Sequence, residues 1–259
     1  MSEKGKELGK ILSQEVIGTE IYSMWIELPQ ISAHAKPGQF VSLFCTDKSR
    51  LLPRPISICE IEREKHALRL VYRVVGKGTK EFSKMNVGET LEVMGPLGNG
   101  FPIERMEEGK KAFLIGGGIG IPPMVELAKQ LKGEKQMIVG YRDELFLTEE
   151  LKKAGKVFIA TEDGSTGVKG NVLDVIAHHQ LDADVIYACG PTPMLRALKK
   201  YAEEKNIECW ISMEEKMACG IGACLACVCQ SKEIDGHSHV HNKRICKDGP
   251  VFLATEVEL

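Results

Sequence analysis

The stretch Ala112–Gly133, "AFLIGGGIGIPPMVELAKQLKG", decides how this chain folds. It opens with an apolar run of strand length and turns through Gly116, Gly117, Gly118 and Gly120. It then continues with helical period, placing Met124, Leu127, Ala128 and Leu131 on one face. Pro122 and Pro123 suit the first turn of a helix, where a missing N–H breaks no intrahelical bond. A strand, a glycine turn and a helix in that order build a parallel α/β sheet, and "QMIVGYRD", "KVFIATEDG", "DVIYACGP", "TPMLRALKKYAEEKN" and "ECWISM" continue the pattern. Upstream, "EIYSMWIEL", "GQFVSLFC", "RPISICEIE", "HALRLVYRVV" and "ETLEVMGPLG" are short β-rich runs between turn residues, as in an antiparallel barrel or sandwich. Within them "IEREKH" reads as a charged hairpin turn. The grammar changes at "GNGFPIERMEEGKK". Residues 1–101 are therefore expected to form a β-barrel, 102–212 a parallel-sheet α/β domain, and 213–259 a third segment too short to bury its own core.

That last segment contains "MACGIGACLACVC", Met217–Cys229. Cys219, Cys224 and Cys227 follow C-x4-C-x2-C, the spacing with which a tight loop wraps a [2Fe–2S] cluster, and Cys246 further on is the expected fourth ligand. Gly220 and Gly222 let the loop turn its amides toward sulfur, and Ala218, Ala223 and Ala226 leave room. Tetrahedral zinc favours two separate knuckles, and only the pair Cys224 and Cys227 has that spacing. Rieske ligation needs histidines in place of two cysteines, and no C-x-H occurs. Cys229 is a fifth candidate for a four-thiolate site and reads as packing. His237, His239 and His241 read as an exposed turn.

Nine cysteines and a formal charge of -2, from 34 basic and 36 acidic residues, carry no basic excess for nucleic acid and no acidic excess for a disordered tail. The charged N-terminus lacks the apolar core of a signal peptide, and no apolar run reaches the ~18 residues of a membrane span. The expected setting is the cytoplasm, where thiols stay reduced and a cysteine cluster reads as a metal or redox site.

"RPISI" (Arg54–Ile58), "VYRVVGKGT" (Val71–Thr79), "GPLGNGF" (Gly95–Phe101), "GGGIGIPPM" (Gly116–Met124) and "CGPTPML" (Cys189–Leu195) precede the cysteine run in the order seen in ferredoxin-reductase-like flavoproteins. Over residues 12–255 the chain resembles the family of electron-transfer subunits of two-subunit, NAD-dependent bacterial dihydroorotate dehydrogenases (type B). The resemblance implies a six-stranded antiparallel FAD-binding barrel, an NAD-binding domain and a C-terminal [2Fe–2S] segment. It implies FAD contacts at Arg54, Pro55, Ile56 and Ser57, then Val71, Tyr72 and Arg73, with Gly78 and Thr79 at phosphate. Gly116, Gly117, Gly118 and Gly120 resemble a dinucleotide loop, although the last position of G-x-G-x-x-G is Ile121. They sit at a strand end before a proline-started helix, whose terminal amides can receive phosphate. Cys189 and Gly190 are implied near the nicotinamide. Asp143 fits a ribose hydroxyl and Arg142 beside it a 2′-phosphate, so the residues leave NAD against NADP open, and the family favours NAD.

The implied function is oxidoreductase electron transfer in pyrimidine biosynthesis. Electrons would pass between an FMN-containing dihydroorotate dehydrogenase subunit and NAD, in a heterotetramer of two plus two subunits. No catalytic acid or base is assigned, since positioning and potential tuning are the protein's part. Alternatives are the sister subunit of a sulfide dehydrogenase or ferredoxin:NADP oxidoreductase complex and, in another class, a redox sensor or zinc module.

Overall fold

The short β-rich runs along the first third of the chain close a barrel. In the computed structural model, which describes residues 5–234, 236 and 239–259, β1 (Gly5–Gly18), β2 (Ile21–Glu27), β3 (Phe40–Leu43), β4 (Arg54–Glu62), β5 (Ala67–Arg73) and β6 (Thr90–Leu97) form it. They pair antiparallel in the order β1-β2-β5-β4-β3-β6. Closure leaves no sheet edge. Met24, Ile26, Val41, Leu43, Ile58 and Leu70 fill the interior, and α1 (Pro29–His34) adds Ile31. The hairpin turn falls between β4 and β5 as "EREK" indicates. A short helix, α2 (Lys77–Phe82), packs Phe82 into the same core.

The run "ALRLVY" on β5 is buried throughout because both faces are covered. Leu68, Leu70 and Tyr72 face the barrel interior, whereas Val71 enters a second core shared with the α/β domain.

That domain is built on β7 (Lys111–Gly117), β8 (Glu134–Tyr141), β9 (Lys156–Thr161), β10 (Val168–Lys169), β11 (Val185–Cys189) and β12 (Glu208–Ser212). These run parallel in the order β10-β9-β8-β7-β11-β12. The chain lays strands to one side of β7 and then returns to the other, so a topological switch point lies between β7 and β11. Ligands of such sheets bind beyond the carboxyl ends there.

The helix after β7, α3 (Pro122–Gln130), is more buried than a one-faced pattern implies: every residue from Pro122 to Ala128 is covered. It is wedged between the sheet and β4. Glu126, 4% exposed, accepts the Ile61 amide at 2.8 Å and the Gln130 side chain at 2.6 Å, so both its oxygens are bonded inside the joint. Beside it Glu60 accepts from Arg69 at 2.5 Å and from Lys129 of α3. Arg69 also reaches Glu150 of α4 (Thr148–Lys152) at 3.1 Å and Ser23 Oγ at 2.8 Å. The barrel and the sheet thus share one apolar core and one buried ionic network. Two further helices, α5 (Val172–His179) and α6 (Thr192–Lys205), cover the sheet.

The C-terminal segment borrows the core it cannot build. A ribbon of β13 (Val228–Gln230) and β14 (Asn242–Arg244) leads to β15 (Val251–Leu253), which pairs antiparallel with β12 and extends the sheet to seven strands. Cys227, Ile245, Cys246 and Phe252 pack with Phe40 and Leu97 of the barrel and Ile211 of the sheet. Asn99 ties the barrel end down, donating its amide to Gly249 O at 2.6 Å and its side chain to Asp248 O at 2.9 Å. Among the described residues no helix is long and apolar enough to cross a membrane.

Candidate functional site

Directly opposed residues of an antiparallel pair share a face. The β3–β4 register sets Phe40 against Ser57 and Ser42 against Pro55, so these four line the outside of the barrel, while Val41 and Ile56 pack on its core. That outer face borders a cavity of about 320 Å³. Phe40, Pro55 and Ser57 form one wall, and Cys189, Glu214 and Met217 are on the other. Burial pushes the Cys189 thiol up to about 12, with the nearby Glu214 charge adding to it, so this wall presents a neutral thiol. Glu214 is open to the cavity yet surrounded by protein, and burial raises its carboxyl above the usual range.

Arg54 lays its guanidinium on Gly78, where a Cβ would overlap Nε and stand 2.8 Å from Cζ. Gly78 therefore serves as the seat of Arg54. The Thr79 hydroxyl accepts the Val75 amide at 3.0 Å and the Gly76 amide at 3.2 Å and is 5% exposed, so it is committed to closing this turn. Next to it Arg50, Lys77, Lys80 and Lys84, with Asp47, Glu81 and Glu89 among them, line a charged hollow of about 750 Å³ in which Arg50 is paired with Asp47 and Glu81. Within "VYR", Val71 and Tyr72 lie on opposite faces of β5 and both are buried, because each face is covered. The Tyr72 ring stacks on Tyr22 at 5.8 Å and its hydroxyl donates to Gln14 at 2.9 Å. Only Arg73 of the three has an exposed side chain, and it lines a separate cavity with Gly118, Tyr141, Arg142 and Asp143.

The glycines at the switch point mostly serve close approach. A Cβ on Gly120 would overlap Cys189 O, and one on Gly190 would stand 3.1 Å from Gly117 N. Gly116 pairs with Cys189 across β7 and β11. Gly118, at φ +53° with open space around it, is the position where the loop faces outward. The start of α3 differs from the expectation. Pro122 and Pro123 have no N–H, and the Met124 amide donates to Ile121 O at 3.0 Å, so this helix start offers no free amides for phosphate. Gly190, Pro191 and Thr192 border a further cavity of about 490 Å³ that shares Met213, Glu214 and Glu215 with the first, so the two adjoin.

The cysteine loop follows directly. Gly220 and Gly222 have φ of +71° and +87°, which turn amides inward: Ile221 and Ala223 donate to Cys219 Sγ at 3.5 and 3.3 Å, and Gly222 donates to Cys246 Sγ at 3.1 Å. The Cys246 amide donates to Cys227 Sγ at 3.4 Å. Burial opposes a thiolate at Cys219, but the Ile221 amide, the Cys224 thiol and the Ala223 amide outweigh it and bring its pKa down to about 6. Burial, then Cys227, pushes Cys246 up. Cys224 lies near enough to Cys219, and Cys227 to Cys246, to perturb its partner's titration. Among the described residues no three His, Cys, Asp or Glu gather for one ion. Two pairs of thiols lined by inward amides match a two-iron centre with two thiolates per iron. Cys229 Sγ donates to Lys243 O at 3.5 Å and its thiol is raised to about 11 by burial. His239 and His241 lie exposed between β13 and β14; His237 is outside the described residues.

Residues 9–101 match the oxidoreductase FAD-binding domain, and residues 214–258 match the iron–sulfur cluster binding domain of dihydroorotate dehydrogenase B. The electron transfer subunit of dihydroorotate dehydrogenase B (NAD(+)) from Caldanaerobacter subterraneus subsp. tengcongensis is 45% identical over 97% of this chain and 98% of that one. The chain belongs to this family. The dihydroorotate dehydrogenase B electron transfer subunit of Bacillus cereus is 44% identical over 96% of this chain and 97% of its own. A solved NADH-dependent reduced ferredoxin-NADP oxidoreductase, described for flavin-based electron bifurcation, superposes with a TM-score of 0.85 at 30% identity, covering 98% of this chain and 91% of that one. An Amycolatopsis cytochrome P450 reductase, at TM-score 0.66 and 20% identity over 79% and 67%, shares the fold. As in the family's domain models, the dihydroorotate dehydrogenase B layout here puts a flavin domain first and an iron–sulfur domain last.

Phe40, Met213, Glu214, Met217 and Pro250 line the central cavity and were not read from the sequence. For "MEEKM" a signal existed: it follows the carboxyl end of a strand, where ligands of such sheets sit.

Proposed function

We propose that this chain carries electrons between NAD and a separate FMN-containing chain that oxidises dihydroorotate, through FAD and a [2Fe–2S] cluster, in cytoplasmic pyrimidine biosynthesis. One observation carries the reading: Ser57 of the barrel, Cys189 of the sheet and Met217, two residues before the first cluster cysteine, border the same cavity. When bound, nicotinamide supplies hydride exchange, flavin one- or two-electron exchange, and the cluster single electrons.

The chain's own residues hold and orient. In the division 1–101, 102–212 and 213–259, Arg54 on its Gly78 seat grips the pyrophosphate. Pro55 and Ser57 border the flavin, and Ile56 adds its backbone while its side chain anchors the strand in the barrel core. Val71, Tyr72 and Thr79 fix the strand and turn that support it. Gly116, Gly117 and Gly120 keep the two strand ends together, so that Gly118 can face the dinucleotide beside Arg73 and Asp143. Cys189 and Gly190 flank the nicotinamide, where Cys189 presents a neutral thiol. Cys219, Cys224, Cys227 and Cys246 hold the cluster. Cys224 is exposed, with Ile221 at 50% and Leu225 at 42% beside it, which gives the partner an apolar face at the cluster. Two copies of each chain make the assembly.

The 45% relatives favour this reading over the NADH-dependent ferredoxin-NADP oxidoreductase layout at 30%. Co-purification decides it. Tagged chain should bring down an FMN-containing protein that reduces NAD+ with dihydroorotate. A preparation with no flavin absorbance and no reduced-cluster EPR signal would refute it.

A further inference from the structure

Ser42, on β3, has a hydroxyl that bonds to none of the described residues. Its Oγ is buried and has no hydrogen-bond partner among the described residues, and the residue is 1% exposed. An unmet buried hydroxyl costs stability, so serine here needs a reason where alanine would pack as well.

The neighbours supply one. A Cβ on Gly220 would meet Ser42 Oγ at 3.2 Å, Leu97 Cδ1 at 3.3 Å and Met94 Cε at 3.4 Å. Gly220 follows Cys219 directly and takes φ +71°. The cysteine loop is therefore pressed onto the barrel at Ser42, and a glycine permits that contact. Leu97 and Met94 are apolar there, leaving Ser42 as the polar group the barrel offers to the loop. On the other side, Ser42 stands opposite Pro55 and two residues from Phe40, both of which line the central cavity. It occupies the strip of barrel between that cavity and the cysteines.

We propose that Ser42 donates its hydroxyl proton to a sulfur of the iron–sulfur site, at Cys219 or at the sulfide beside it, and so raises that site's reduction potential. This rests on the assignment of Cys219, Cys224, Cys227 and Cys246 as ligands. The physical basis is that a hydrogen bond to sulfur strengthens as the acceptor gains negative charge, so it stabilises the reduced form more than the oxidised one. Backbone amides of Ile221, Gly222 and Ala223 already point at sulfur in this loop, and Ser42 adds a donor from another domain. Ser42 is a positioning and tuning residue, and it is absent from the motifs that mark the cofactor sites.

The test uses the full, cluster-loaded chain purified anaerobically. Iron and sulfide content are measured first, and an EPR-monitored redox titration then compares wild type with Ser42→Ala. The expected result is unchanged cluster content and a reduction equilibrium shifted about three- to tenfold toward the oxidised form, tenfold being 59 mV for one electron. Pulsed EPR after exchange into D2O should lose a deuteron coupling in the variant. If Ser42→Ala does not load, the isosteric pair Ser42→Thr and Ser42→Val reads the hydroxyl alone, with threonine keeping the higher potential. Unchanged potential and deuteron coupling in Ser42→Ala, or equal potentials in the pair, would overturn the proposal and leave the ligand assignment standing. Wild-type chain without iron and sulfide would remove both.

Discussion

Replacing Gly78 by alanine should improve the local fold and damage the flavin site, and these opposite signs make it an incisive perturbation. Gly78 lies in α2, where alanine is favoured over glycine by roughly 0.5–1 kcal/mol. The new methyl would overlap Arg54 Nε and crowd Cζ, so the guanidinium must leave its seat. A hydrogen bond to a charged group contributes about 1.5–3 kcal/mol, and about 1.4 kcal/mol is a factor of ten in affinity. FAD binding should therefore weaken about ten- to hundredfold, while the thermal midpoint of flavin-free chain holds or rises by a few degrees. The assay pairs a fluorescence titration of apo-chain with FAD and a melt without it. Arg54→Ala should lose comparable affinity, and the double variant should be no worse than Arg54→Ala alone, because both remove the same contact. Wild-type affinity in Gly78→Ala would refute the seat. So would a loss that adds in full to that of Arg54→Ala, since Gly78 would then act on flavin by another route.

Cys246→Ser should abolish the stable cluster whereas Cys229→Ser keeps it, read by iron content and EPR; a retained signal in the former would displace Cys246 as fourth ligand. Arg69→Met leaves Glu60 with Lys129 alone in the joint between barrel and sheet and should cost about 2–4 kcal/mol in urea unfolding. Burial opposes the Glu60 charge, but its bonds to Lys129 and Arg69 hold the carboxyl below its usual value. Its stabilisation is therefore present above the unfolded carboxylate pKa and lost as pH falls through the lower folded value, so wild type should lose stability in acid more steeply than Glu60→Gln. Gly120→Ala would drive a methyl into Cys189 O, part the ends of β7 and β11, and cost about 1–3 kcal/mol. NADH should then bind more weakly with FAD content unchanged.

Local signals carried far in this chain. The shift from short β-rich runs between turns to strand, glycine and helix located the change of architecture, and C-x4-C-x2-C named the cluster loop, because both depend on spacing along the backbone. Other features depend on what packs against a segment. "VYR" reads as one motif, yet Tyr72 turns inward because β5 alternates. α3 looks one-faced in sequence but is covered all round because β4 lies on its other side. Pro122 and Pro123 announce a helix start and at the same time remove the amides that a phosphate would use.

The succession of an antiparallel β region and a parallel α/β region, and the cysteine spacing, were determined by the sequence itself, through turn-bounded β-rich runs, helical patterning and loop geometry. Six strands closed as a barrel were implied only by the family resemblance, since spacing alone fits a barrel or a sandwich. Tertiary structure alone decided that β15 returns to the edge of β12, that Asn99 ties the barrel to Gly249, and that Ser42 lies under Gly220. These join residues far apart in the chain, and such contacts are set by how whole domains share a core rather than by any local pattern.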